Sequence, residues 1–178
     1  MAMRTYEFTF VVDHPLTDEE IDALFERADD VTPEQEQHRM LLGFDRDAES
    51  LATALVSALG DVEAAGLTVG SVRSEDLVTL REIAARTGRS YEGVRMLAAG
   101  RRGPGGFPSP LESAGWTLYS WSQVRPWFAR HYPASGLDQE TETFEHDRLI
   151  AAADHLVRAR ALMRGDDLAA GLAALIAA

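Results

Sequence analysis

Few side chains in this sequence could carry chemistry. The 178 residues include no cysteine, and all 17 basic side chains are arginine. Thiolate catalysis, disulfide frameworks, Cys-type zinc sites and iron–sulfur clusters are thereby excluded, as are Schiff-base lysines and the lysine of a phosphate-binding loop. His14, His38, His131 and His146 show no metal-ligand spacing. What is concentrated is arginine: Arg81, Arg86, Arg89, Arg95, Arg101 and Arg102 fall in one short stretch that also holds Ser90 and Tyr91. A guanidinium presents planar, forked N–H donors, which suit a phosphate or the paired acceptors on a guanine edge.

The net charge is −12, which taken whole argues against nucleic acid, because affinity for DNA rests on neutralising phosphates. That average hides a segregation. Residues 1–76 carry 5 Arg and 18 acids, residues 77–132 carry 8 Arg and 3 acids, and residues 133–178 carry 4 Arg and 8 acids. A basic block therefore sits inside an acidic chain, and asymmetry of that kind points to a partner. The apolar runs are a few residues each and the N-terminus has no signal-peptide pattern. The expectation is a cytoplasmic, nucleoid-associated protein with no membrane partner and no cofactor.

The elements that position the arginines follow from periodicity. Tyr6, Phe8, Phe10 and Val12 alternate as a strand with one buried face does. Thr17-x-x-Glu20 is a capping box opening a helix with Ile21, Leu24, Phe25 and Ala28 as its stripe. Strands over Val31–Glu36 and through Met40, Leu42 and Phe44 follow. A helix capped by Asp47 comes next, with Leu51, Leu55, Ala58, Leu59 and Val62 inward and Gly66 at its end. Leu67, Val69 and Val72 form a last strand. This order predicts an α+β fold, with residues 1–76 as an acidic ferredoxin-like βαββαβ domain. The clusters Asp18-Glu19-Glu20 and Asp29-Asp30 read as helix caps and solvated turns.

Residues 77–132 have a different texture. Thr79-x-x-Glu82 opens a short helix, Thr87-Gly88-Arg89 breaks it, and Ser90 caps a second helix that Gly100 stops. Ala84, Gly88 and Val94 have the spacing of a helix-turn-helix: a small residue where the helices touch, a glycine able to take positive φ, and a branched apolar residue facing inward. The Gly-Pro-rich run 100–108 fails as a phosphate loop, since no lysine follows and it leaves a helix. Two short strands around Ser113-Ala114-Gly115 make a wing, and Ser122 caps a helix with Val124, Trp127, Phe128 and His131. Residues 133–142 read as a linker. Residues 143–178 read as a C-terminal helical segment, whose second helix bears Leu168, Leu172, Leu175 and Ile176.

The run Leu77-Val78-Thr79-Leu80-Arg81-Glu82-Ile83-Ala84-Ala85-Arg86-Thr87-Gly88-Arg89-Ser90, with Val94-Arg95, the Arg-Arg-Gly-Pro-Gly-Gly-Phe-Pro stretch and Trp121-Ser122-x-Val124, resembles the MerR/excisionase-like (AlpA-like) winged helix-turn-helix of small actinobacterial DNA-binding proteins. The resemblance covers 77–132 only. It implies a recognition helix, 90–99, in the major groove of double-stranded DNA and a wing, 101–120, on the backbone. Glu92 departs from this picture, since an acid on the outward face repels phosphate; it could instead accept from cytosine N4 or face solvent.

On that helix Ser90, Tyr91, Glu92, Arg95 and Met96 are free of the core. Ser90 and the first-turn N–H groups suit a phosphate, while Tyr91 and Arg95 share a face, with Arg95 placed for a bidentate guanine contact. Arg89, Arg101 and Arg102 read as phosphate anchors, with Arg81 and Arg86 adding to them. A single module of this size gains affinity by dimerising, through the N-terminal domain or the C-terminal helices. Arg148 and His155 show an Arg-x₆-His spacing like a short motif of some helical ribonucleases, but so brief a spacing arises by chance, and no enzyme is expected. The alternative reading is a non-enzymatic adaptor or antitoxin-like protein that binds a basic protein partner through its acidic N-terminal domain. The segregated charge makes a prediction. Neutralising acids in residues 1–76 raises affinity for non-specific DNA, measured by fluorescence anisotropy, and unchanged affinity would detach the acidic segment from DNA binding.

Overall fold

The computed structural model describes residues 2–113, 116–133, 137 and 141–163. It is a mixed α+β protein with antiparallel sheets and six helices among the described residues. These residues fall into two compact units, one running up to Arg73 and resuming at Ala152, the other Ser74–Ala151.

The first unit is built on β1 (Arg4–Val12), α1 (Asp18–Phe25), β2 (Val31–Glu36), β3 (Arg39–Ala48), α2 (Leu51–Ala64) and β4 (Ser71–Val72). Its sheet has the order β2-β3-β1-β4, every neighbouring pair antiparallel. Alternation along β1 places Phe8, Phe10 and Val12 inward, where Phe8, Phe10 and Phe44 meet with ring centroids 5.3–5.6 Å apart. Leu51, Ala54, Leu55, Ala58 and Val62 bury one stripe of α2, which packs on β1 and β3. Each large apolar side chain removed from water in this way contributes about 1.5–3 kcal/mol. The Thr17–Glu20 capping box is present.

Two local expectations are corrected. The cap of α2 is Ser50, whose hydroxyl accepts from the Thr53 N–H; Asp47 lies in β3 and accepts from the Thr5 hydroxyl at 2.6 Å. A hydroxyl one residue from the first helical turn outcompetes a carboxylate still paired in a strand. Leu67 and Val69 are buried but outside any strand, because the Leu67 N–H turns back to the Val62 carbonyl after Gly66. Pairing begins only at Ser71.

A guanidinium ties the unit together. Arg46 of β3 makes a forked pair with Asp30, 2.7 and 2.8 Å, and bonds Asp61 at 2.6 Å and Ser57 at 3.2 Å on α2. At the sheet edge, the outward Val72 N–H donates to Asp154 of α6 (Thr141–Leu162) at 2.9 Å, and Arg160 of the same helix pairs with Glu63. The opposite edge strand, β2, carries Pro33.

The second unit contains β5 (Leu77–Val78), α3 (Leu80–Arg86), α4 (Tyr91–Ala98), β6 (Leu111–Ser113), β7 (Trp116–Ser120), α5 (Trp121–His131) and the start of α6. Its sheet order is β5-β7-β6. Val78, Ile83, Val94, Leu97, Tyr119, Trp121, Val124, Trp127 and Phe128 form its core. Arg125 is buried as well, with Nη2 donating to the Leu137 carbonyl and the guanidinium over the Phe144 ring.

The start of α5 also corrects an expectation. Ser122 does not cap it: the helix begins at Trp121, and the Asp76 carboxylate accepts from the Ser122 N–H at 2.6 Å while its carbonyl accepts from Trp121. This displaces Pro126 to the helix interior. Against the expected segments 1–76, 77–132 and 143–178, the division falls at Arg73–Ser74, and α6 begins at Thr141 and is shared between the units. The helix expected after Gly165 lies outside the described residues.

Hydrogen bonds from Arg46 hold the Asp30 carboxyl below the ordinary aspartate value of 3.8, against the opposing effect of burial. Its stabilising contribution is therefore complete above that ordinary value and is lost as pH falls through the lowered one. Asp30→Asn flattens the acid limb of the stability–pH curve below about pH 4, read by denaturant titrations; a parallel curve for the variant contradicts this assignment.

Candidate functional site

The arginine-rich face is assembled by α3, α4 and the loop that follows them. Thr79 and Glu82 make a reciprocal cap: Glu82 accepts from the Thr79 N–H at 2.7 Å and from its hydroxyl at 2.8 Å, and the Thr79 hydroxyl oxygen accepts from the Glu82 N–H. These bonds, the backbone one first, hold the Glu82 carboxyl below its usual range. At the end of α3, Gly88 takes φ 63°, and paired bonds run from Gly88 to the Ala85 carbonyl and from Arg89 to Ala84. The same arrangement ends α4, where Gly100 has φ 64°, its N–H meets the Leu97 carbonyl and the Arg101 N–H meets Met96. Both are Schellman closures, which need a residue without Cβ strain at positive φ. They fix the backbone at Arg89 and Arg101. Ala84 and Val94 are buried where the two helices meet.

The expected contact residues do not share one environment. Ser90 caps α4, its hydroxyl oxygen accepting from the Gly93 N–H at 3.1 Å. Tyr91 is exposed beneath the Arg81 guanidinium, 5.1 Å from the ring centroid. Arg95 is held in a fork by Glu92, with Nε and Nη2 donating at 2.9 and 2.6 Å. That pairing lowers the Glu92 carboxyl from its usual range and raises the Arg95 guanidinium. Arg89 is half-buried, its guanidinium stacked 4.0 Å from the Tyr132 ring centroid and 5.5 Å from that of Phe128. A cation–π contact of this kind is worth about 0.5–2 kcal/mol, which contact with a phosphate must replace. Arg86 lies over Trp121 and pairs with Glu75. Arg101 and Arg102 are exposed and, like Arg81 and Arg130, have no ion pair among the described residues.

A groove of about 750 Å³ runs between α3, α4 and β7, lined among others by Arg81, Tyr91, Arg95, Ala98, Thr117 and Tyr119. It gathers Tyr91 and Arg95 with Arg81 and leaves Arg89 out. Thr117 and Tyr119 stand outside the expected contact residues, although their period of two on β7 puts both on one face. Burial raises the Tyr119 phenol above its ordinary value, so it remains a protonated donor at neutral pH.

The Gly-Pro loop is a built structure. Gly103, Gly105 and Gly106 all have positive φ. Trp127 Nε1 donates to the Gly105 carbonyl at 3.0 Å, and Phe107 meets Tyr119, Trp127 and Phe128 edge to face. Arg101 and Arg102 are thus carried between the closed end of α4 and an anchored loop. Among the described residues, no group of three or more His, Asp or Glu side chains is placed to hold a metal ion.

No family model, curated protein or solved structure matches the chain. The loop geometry makes a direct prediction. A Cβ on Gly103 would stand 2.5 Å from Leu97 Cδ2 and 3.0 Å from the Tyr132 hydroxyl, at φ 86°. Gly103→Ala therefore costs about 2–4 kcal/mol from strain and overpacking together. Tryptophan fluorescence during denaturation reports it, since all three tryptophans lie in this unit.

Proposed function

We propose that the chain is a sequence-selective DNA-binding protein, a transcriptional regulator that places α4 in the major groove and the segment 101–120 along the backbone as a wing. The observation that carries this reading is the pair Arg101-Arg102. Both are exposed and form no ion pair among the described residues, and they directly follow a helix whose outer face presents Tyr91 and Arg95. Unpaired arginines beside an exposed helix face position a protein on phosphates, while the helix reads base edges. The two helices joined at Gly88, with the β6–β7 hairpin beyond them, support the winged helix-turn-helix arrangement. The strand order β2-β3-β1-β4 with two intervening helices supports a ferredoxin-like arrangement for the first unit. Binding as a dimer to paired half-sites completes this reading.

One observation favours the adaptor reading. Glu7 and Asp45 stand directly opposite across β1 and β3, both exposed and without an ion pair among the described residues. Like charges so placed destabilise a sheet and invite a cationic partner.

Selection from a random DNA pool by the full-length protein, followed by a salt titration on the enriched sequence, tests the proposal. Three or four phosphate contacts give a slope of log affinity against log salt of about −3 to −4, and Arg101→Ala or Arg102→Ala each makes it shallower by about 0.9. A slope near zero, with binding of an arginine-rich peptide that Glu7→Gln abolishes, would instead establish the adaptor.

A further inference from the structure

Glu92 is the one carboxylate on the exposed face of α4; the first turn suits an acid, but nothing in the helix requires that acid to hold Arg95. It is 62% exposed and its partner Arg95 is 44% exposed; an exposed i,i+3 pair adds little to stability. Arg101 also acts on it electrostatically. On a surface meant for phosphate this acid subtracts attraction, and it occupies the arginine best placed to read a base.

We propose that Glu92 is a specificity-determining residue of the α4 surface, which keeps Arg95 off phosphate and, when Arg95 moves onto a guanine, accepts from the N4 amino group of a neighbouring cytosine. This rests on the DNA reading above and names the class of site it takes, one with guanine and cytosine adjacent at the centre of the α4 contact. The chemistry is an exchange of like for like. Arg95 Nε and Nη2 already donate in parallel to the two carboxylate oxygens, and guanine O6 and N7 offer a similar pair of acceptors. A phosphate that takes Arg95 leaves the Glu92 carboxylate with no donor beside an anion, whereas a guanine–cytosine edge gives Arg95 two acceptors and the carboxylate one donor. The released carboxylate is an acceptor only, and cytosine N4 is the major-groove donor that suits it. Arg81, stacked on Tyr91, has no ion pair among the described residues and does not claim Glu92.

The test uses the full-length protein and its Glu92→Gln and Glu92→Ala variants, with melting curves confirming that each is folded. Wild type is expected to enrich a sequence with adjacent G and C, and replacing that C should lower its affinity by about 5- to 150-fold. Both variants are expected to lose the preference at the C position, to bind unrelated DNA several-fold more tightly, and to show a salt slope steeper by about 0.9 as Arg95 joins the phosphate contacts. If wild type enriches a motif that both variants retain with unchanged non-specific affinity, the role of Glu92 is overturned and the DNA reading stands. If wild type enriches nothing, the DNA reading falls and this inference falls with it.

Discussion

Trp127 is the side chain on which the second unit closes. Its ring meets Phe107, Phe128, His131 and Tyr132, and its indole N–H bonds the Gly105 carbonyl. A unit of this size has little apolar surface to bury, so a few aromatic contacts must fix several segments at once. The consequence reaches the candidate site directly. Phe128 and Tyr132, which flank Trp127, also form the surface on which Arg89 stacks, and Tyr132 limits the space at Gly103. Arg89 thus rests directly on this aromatic cluster, and the loop just after Arg102 packs against it at Gly103 and Gly105.

The local parts of this architecture were legible in the sequence. Both capping boxes, Thr17–Glu20 and Thr79–Glu82, and the Ser90 cap are written within four residues, and the structure realises each. Gly88 and Gly100 adopt the positive φ their positions called for. What could not be read depends on partners far away in sequence. The cap of α5 is Asp76, 46 residues before the amide it serves, and no spacing rule links the two. Arg46 collects Asp30 and Asp61 from opposite sides in sequence. Arg89, expected as a phosphate anchor, lies half-buried over the rings of Phe128 and Tyr132, a surface that no local spacing announces. Burial without pairing misplaced the last strand, since Leu67 and Val69 satisfy the hydrophobic pattern of a strand while the chain is still turning out of α2.

Charge is organised more finely than the segment balances suggest. Of the eight arginines in residues 77–132, Arg125 is buried, Arg86 and Arg95 pair with glutamates, and Arg89 stacks on rings. The four others, Arg81, Arg101, Arg102 and Arg130, are exposed without an ion pair among the described residues, and only Arg101 and Arg102 are adjacent. An overall positive block therefore reduces to a small number of exposed cations without ion pairs among the described residues. Attraction at long range is weak for such a surface.

The edges of the first unit's sheet carry a different lesson. At β4 the free amide of Val72 is taken by the Asp154 carboxylate, and β4 itself is two residues long; at β2 the edge contains Pro33, which has no amide to offer. At these two points the margins offer no free amide, which makes each a poor place for another strand to pair. Among the described residues the stretch of β1 before Thr9 has no strand beside it on the β4 side, so a further strand would have to pair there and not at Val72 or Pro33.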